Sequence, residues 1–364
     1  MNEGLDVIFC QLLRVALGLS QNFSYTPIKQ DWQALFTMAQ QQSVLSVVYN
    51  AFRLLPEESR PPRQLRLHYA AFVESKRGLN IRMNLEAARY TRQFEQRGFR
   101  SIILKGQANA RLYPDPLSRQ AGDIDIWVLG GHDKVNQLLF DMGLISENTN
   151  TGNKLRHISF RNENGIDIEV HYWPTEVPFR NNEFQEVLLA ESENSTLTPE
   201  GFYSPSIRFA LIMQLQHLFR HCVKVGVGLR HYMDYFMLLT HSTEADRKFA
   251  WEKIKRFGLG NACAGVMWVL EMVFALPREQ MLCAPNKRRG MRLYKSAIEG
   301  GNFGRSASRN KDELSWFKRW IDSRLHTLQW LDFEPLYITS IEIQYWKNAF
   351  SAICKRIKRR KMFL

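Results

Sequence analysis

Long apolar runs are missing from this 364-residue sequence. None approaches the roughly 18 residues that a membrane-spanning helix needs. Cysteine is scarce as well. Cys10, Cys222, Cys263, Cys283 and Cys354 are odd in number, widely scattered and include no CxxC pair. That argues against a disulfide framework and a Cys-type zinc site, and favours reduced core thiols in a cytoplasmic protein. The opening MNEGLDVIFCQLLRVALGLS is acidic at its front. It lacks the basic n-region of a signal peptide and reads as an amphipathic helix. There is no internal repeat, no low-complexity tract and no GxxxxGK[ST] phosphate loop. Gly226-Val227-Gly228 lacks the strand context and third glycine of a dinucleotide fingerprint. Leu331-Asp332-Phe333-Glu334 faintly suggests a phosphotransferase metal loop without its partners. No RNA- or DNA-binding motif is recognisable.

What is present is globular: 45% apolar and 23% charged residues, in a chain long enough for two or three domains. The net charge of +13 is unevenly spread. Residues 1–286 hold 31 basic and 29 acidic residues, whereas 287–364 hold 18 and 7. The terminal stretch 355–364, KRIKRRKMFL, has six basic residues and no acid. Such a block attracts phosphate, as nucleic acid, anionic lipid or a phosphorylated substrate. Trp346, Phe350, Ile353 and Ile357 fall at helical spacing around it, so a basic amphipathic helix at the inner membrane surface is one reading. The other is a terminal helix packed on the body with a solvated basic face.

The hydropathy pattern divides the chain into a helical region at 1–98, a mixed α/β unit at 99–180 and a helical region at 181–364. Pro56, Pro61 and Pro62 break the first region, and Leu65 to Gln96 then runs without proline at helical intervals to a cap at Gly98. Ser101 to Leu104, Asp123 to Val128, His157 to Phe160 and Ile166 to Trp173 read as strands, with a helix over 131–142. Glu163-Asn164-Gly165 marks a hairpin. After about residue 182 the helical period dominates, with Gly300-Gly301 opening a polar, flexible loop. The class is therefore α+β, a small mixed sheet embedded in a predominantly helical chain.

The most informative segment is LKGQANARLYPDPLSRQAGDIDIWV, residues 104–128. Strand side chains alternate, so Asp123 and Asp125 share one face and Ile124 and Ile126 the other. Along IDIEVHYW, Asp167, Glu169 and His171 share a face in the same way. Adjacent carboxylates resist joint ionisation unless a cation neutralises them. Mg²⁺ suits such a set, because it takes oxygen ligands and commonly binds one or two carboxylates plus substrate phosphates. Two metals about 4 Å apart, held by Asp-x-Asp and a third acid, support in-line displacement at phosphorus. Asp-x-Asp alone is a weak signal, and an exposed acidic strand face is the bland alternative. Lys105-Gly106 at a strand-to-helix turn, with Arg119 nearby, tips the balance toward a metal–phosphate site.

Several pieces together resemble the nucleotidyltransferase superfamily with the polymerase-beta-like fold. They are Leu104-Lys105-Gly106, Tyr113-Pro114, Arg119, Asp123-Ile124-Asp125, Glu169 to Trp173, His217, Arg220-His221, Gly228-Leu229-Arg230 and Asp234. The closer resemblance is to a bacterial family of uncharacterised nucleotidyltransferases, often encoded among polysaccharide-biosynthesis genes. It covers about residues 60–240. It implies an NTP substrate, Mg²⁺ or Mn²⁺, and transfer of a nucleoside monophosphate to an unidentified acceptor with release of pyrophosphate. It also implies that Asp123 and Asp125 hold the metals and that Glu169, rather than Asp167, is the third carboxylate. Lys105, Gly106, Gln107 and Arg119 would contact the nucleotide. The wider superfamily has Gly-Ser after the first strand. Here Gln107 follows Gly106, so Lys105 is the candidate phosphate contact. The missing serine and the basic tail motivate an alternative, a non-catalytic component that binds nucleotide or anionic membrane.

HLFRHCVKVGVGLRHYMDYFMLL places further polar residues in an apolar setting. His217 and His221 are i, i+4, and so are Arg230 and Asp234, which suggests a pair. His-x₃-His can bind zinc, but Leu218 stands where metalloproteases carry their glutamate. The expectation is that these residues and His171 line or brace a cleft.

Overall fold

A computed structural model describes residues 3–146, 157–175, 182–301 and 316–361; side chains from 352 onward lie outside the described set. The basic tail 355–364 is therefore not described at side-chain level, and the polar stretch after Gly301 falls outside the described residues. Among the described residues, no helix is long and apolar enough to cross a membrane.

The chain opens with α1 (Glu3–Ala16), α2 (Lys29–Gln41) and α3 (Leu45–Ala51). The proline-rich break then leads into α4 (Arg63–Glu95). Next come β1 (Ser101–Ile103), a short α5 (Gln107–Ala110), β2 (Ile124–Val128), α6 (Gly131–Asp141), β3 (His157–Arg161), β4 (Asp167–His171) and α7 (Asn182–Ser192). A two-residue hairpin, β5 (Thr196–Leu197) with β6 (Tyr203–Ser204), precedes α8 (Ile207–Lys224) and α9 (Leu229–Thr240). The remainder is α10 (Glu244–Arg256), α11 (Gly260–Phe274), α12 (Lys287–Gly300), α13 (Trp316–Leu328) and α14 (Pro335–Lys361). The α+β class and the four expected strands are present. The β5–β6 hairpin lies in a stretch expected to be helical.

The main sheet has the order β1-β2-β4-β3. β1 runs antiparallel to β2, β2 parallel to β4, and β3 antiparallel to β4. The β3–β4 turn closes with Gly165 at φ +72, a conformation that glycine adopts without a Cβ penalty. Strand alternation sorts the sheet's side chains. Ile124, Ile126, Ile168 and Val170 face a core completed by Met83, Ala87, Tyr90 and Phe94 of α4 and by Val135, Leu138 and Leu139 of α6. The α4 residues recur every three or four positions, the stripe an amphipathic helix lays on a sheet. The opposite parity places Ile102, Leu104 and Trp127 in a second, larger core. There Trp127 stacks on Phe209 of α8, with ring centroids 5.8 Å apart. This second core also holds α1 to α3, so the first helices pack together with α8 to α12. Toward the chain's end Trp346 and Phe350 of α14 stay exposed, at 52% and 70%.

Two further ties involve α4, whose 33 residues span about 50 Å. Asn80 donates to the carbonyls of Leu117 and Arg119, both at 2.8 Å. Glu86 accepts from Asn162 at 2.9 Å and Asn164 at 2.7 Å in the β3–β4 turn.

Candidate active site

Asp125 and Glu169 stand opposite each other in the parallel β2–β4 register. With Asp123, just before β2, they offer oxygen atoms that all lie within 4.8 Å of one another. A second group, His157, Glu169 and His171, gathers as closely and shares Glu169. Asp167, the alternative third acid, belongs to neither group. It lies 3.7 Å from Arg161 on the open side of the sheet.

The charges within this set are unequal. Asp125 is 2% exposed and is gripped twice. Lys105 Nζ lies 3.0 Å from one oxygen, and His171 Nε2 donates to the other at 2.9 Å. Burial pushes the Asp125 carboxyl up, but Lys105 and His171 outweigh it and hold it well below the usual range. Asp123 shifts the opposite way, raised by the neighbouring Asp125 charge and then by burial. Burial also works against Glu169, but the His171 imidazole leaves its carboxyl lowered. The protein thus neutralises one carboxylate and leaves Asp123 destabilised as an anion. A hard dication satisfies that imbalance, so the residues present fit the metal that the chemistry requires.

Gly106 takes φ +62 at the turn after β1, where the left-handed region favours glycine and the position approaches the Asp123 carbonyl. Gln107 departs from expectation: it is buried and its amide donates to Met83 Sδ, so its side chain points into the core. Arg119 departs too. Its guanidinium is held by Asp234 in two bonds of 2.8 and 2.7 Å, fully inside the protein. Tyr113 donates to the same Asp234 at 2.7 Å. The partner of Asp234 is therefore Arg119 rather than Arg230, the residue one helical turn away. Burial pushes the Asp234 carboxyl up, yet Arg119 outweighs it and keeps it lowered. Arg230 instead donates to the Gln120 carbonyl at 2.7 Å.

Two spaces flank the carboxylates, and Asp123 lines both. On one side α8 and α9 close a cavity of about 30 Å³ over Lys105 and Gly106, with His217, Arg230 and His231 in its wall. Burial first, then the nearby Lys105 for His217 and Arg230 for His231, pushes both histidines well below the ordinary range. His221 lies beside His217 with the two rings tilted and their centroids 4.3 Å apart, and is not part of the wall. On the other side an open groove of about 610 Å³ runs along Ser159, Phe160, Arg161, Asp167 and Glu169. His157 and His231 were not among the residues expected at the site. Strand parity points to His157, which pairs in register with His171. His231 had no signal beyond its place beside Arg230.

The mixed sheet thus brings together a Gly turn after its first strand, Asp-x-Asp at the start of its second and an acid on the parallel neighbour, the pieces on which the sequence resemblance rests. A family model of uncharacterised nucleotidyltransferases matches residues 29–275. The chain belongs to that family, and nucleotidyl transfer is its general class of reaction. A search of curated proteins finds no match.

Proposed function

We propose that the protein binds an NTP with Mg²⁺ or Mn²⁺ at Asp123, Asp125 and Glu169 and transfers the nucleoside monophosphate to an acceptor entering through the open groove. The supporting observation is the convergence of three carboxylates between a small cavity lined by both cations and carboxylates and that open groove. The cavity is far too small for a nucleoside, whereas the groove has room for one. When bound, the metal draws charge from the phosphates and lowers the barrier to attack at the α-phosphorus.

Lys105 and Gly106 approach the phosphates from the β1 turn. Since the Gln107 side chain faces the core, its contact with phosphate is through the main chain. Arg119, tied to Asp234, acts by holding the cavity wall rather than by touching the nucleotide. His171 fixes Asp125 and steadies Glu169. Glu169 takes the proton of the acceptor hydroxyl as its oxygen bonds to the α-phosphorus. The bond from that phosphorus to the bridging oxygen breaks, and its electron pair leaves with pyrophosphate. The acceptor is a hydroxyl or phosphate on a sugar phosphate, another small molecule, a protein or RNA.

The test is transfer from each α-labelled NTP, with Mg²⁺ or Mn²⁺ and a fractionated lysate as acceptor pool. The folded Asp123→Asn/Asp125→Asn variant runs in parallel. Label transfer by wild type alone supports the reading and identifies the preferred base. Metal-dependent NTP binding by wild type without transfer, across all fractions, favours the non-catalytic alternative. Absence of metal-dependent binding overturns the reading of the carboxylates.

A further inference from the structure

Most polar side chains in the closed cavity's wall satisfy one another. Lys105 is paired with Asp125, and Arg119 with Asp234. Gln214 and Asn109 exchange two hydrogen bonds of 2.8 Å. Three wall nitrogens do not follow this pattern. His217 Nε2, Arg230 Nε and His231 Nδ1 are buried from solvent and have no hydrogen-bond partner. Buried polar groups left unsatisfied are uncommon and costly. Here three occur together, on two helices, in the wall of one cavity. The rings of His217 and His231 are 6.5 Å apart, and the Arg230 guanidinium is anchored by its bond to the Gln120 carbonyl.

We propose that His217, Arg230 and His231 form a socket for a single phosphoryl oxyanion, on the side of the carboxylates away from the open groove. Size supports this. A cavity of about 30 Å³ compares with the roughly 10–15 Å³ that one water needs by the same measure. It therefore holds one small polar group and excludes a nucleoside or sugar. Charge supports it too. The wall carries three cations and three carboxylates. Lys105 is paired with Asp125 and Arg119 with Asp234, which leaves Arg230 as the wall cation without an ion-pair partner among the described residues and favours an anion beside it. Among the described residues, no cluster of three metal-ligating side chains includes His217 or His231. An oxyanion offers several acceptor positions at once and can meet a guanidinium N–H and two imidazole N–H groups. Asp123 lines the same cavity as these three side chains, so a phosphate seated there shares its wall with a residue of the proposed metal position. This inference rests on the nucleotidyl-transfer reading for its purpose and on the orphaned nitrogens for its existence.

Two sources share this chemistry, the terminal phosphates of the NTP and a phosphate carried by the acceptor. The probe is inorganic pyrophosphate, titrated calorimetrically into the full chain without metal. Wild type is expected to bind it. Arg230→Gln and His231→Leu are each expected to weaken binding about tenfold or more, with urea midpoints reporting that the variants are folded. His231→Gln, which keeps an N–H donor, is expected to recover part of the loss. Asp123→Asn is expected to retain metal-free pyrophosphate binding while losing metal-dependent NTP binding, so the socket and the carboxylate reading fail separately. If pyrophosphate binds wild type and the folded variants equally, or binds none of them, the proposal is overturned and the cavity holds only water. A second arm names the source. Pyrophosphate that competes with NTP occupies the place of the NTP's own phosphates, whereas simultaneous binding of both assigns the socket to a phosphorylated acceptor.

Discussion

The two spaces beside the carboxylates are built on opposite principles. The closed one lies between the sheet and two buried helices, and its wall is held by the Arg119–Asp234 pair, with side chains only 6% and 5% exposed. The open one runs along the edge strand β3 and its neighbour β4, where Arg161 and Asp167 are 70% and 64% exposed. A buried wall fixes atoms to within packing tolerance, whereas a solvated strand edge tolerates substitution. The contrast suits a site that fixes a small group rigidly on one side and admits larger groups loosely on the other.

Four experiments break or sharpen this contrast. The largest effect is expected from Asp125→Asn, which removes the buried carboxylate that lines the closed space and stands opposite Glu169 in the β2–β4 register. Turnover should fall by about 10²–10³-fold or more, the scale of losing one preorganised electrostatic group. Label transfer at saturating NTP measures it. Next is Asp234→Ala, which leaves Arg119 buried and unpaired. Stability should drop by about 3–5 kcal/mol in urea denaturation. A change below 1 kcal/mol would show that the closed wall does not depend on this pair.

The third concerns pH. Arg119 keeps the Asp234 carboxyl below its unfolded value of about 3.9. Its contribution is therefore complete above that pH and is lost as pH falls through the lower, folded value. Urea midpoints between pH 6 and 3 should decline more steeply for wild type than for Asp234→Asn. Parallel curves would sink this assignment. The smallest effect is expected on the open side. Ser159→Ala, on the groove side only, should leave stability within about 0.5 kcal/mol and alter the KM values while sparing metal-free pyrophosphate binding. A matching loss of pyrophosphate binding would erase the distinction between the spaces.

Much of the fold was legible because alternation is a local property. Parity put Asp123 and Asp125 on one face of their strand and Asp167, Glu169 and His171 on one face of theirs, with Ile124 and Ile168 behind. The choice of Glu169 came from the family resemblance, and the parallel pairing that sets it opposite Asp125 came from the structure. The β3–β4 turn was marked by Asn164-Gly165. What escaped depends on distance. Arg119 and Asp234 meet across 115 positions, and the local i, i+4 spacing of Arg230 and Asp234 suggested the wrong partner. Gln107 follows the Gly106 turn in sequence but rotates into the core at the start of α5. β5 and β6 are two residues each, too short for any period to register. The closed cavity combines side chains from the β1 turn, α8 and α9, and no window of sequence contains all three.

The ties made by α4 have a mechanical meaning. Asn80 grips the segment that carries Arg119, and Glu86, less than two turns further along, grips the tip of the β3–β4 hairpin. One segment belongs to the closed wall and the other to the open edge. A helix of this length transmits tilt as a rod does, so the two grips cannot move independently. Any rocking of α4 shifts the holder of the phosphate wall and the strand beside the groove together, in a ratio set by where each grip lies along the lever.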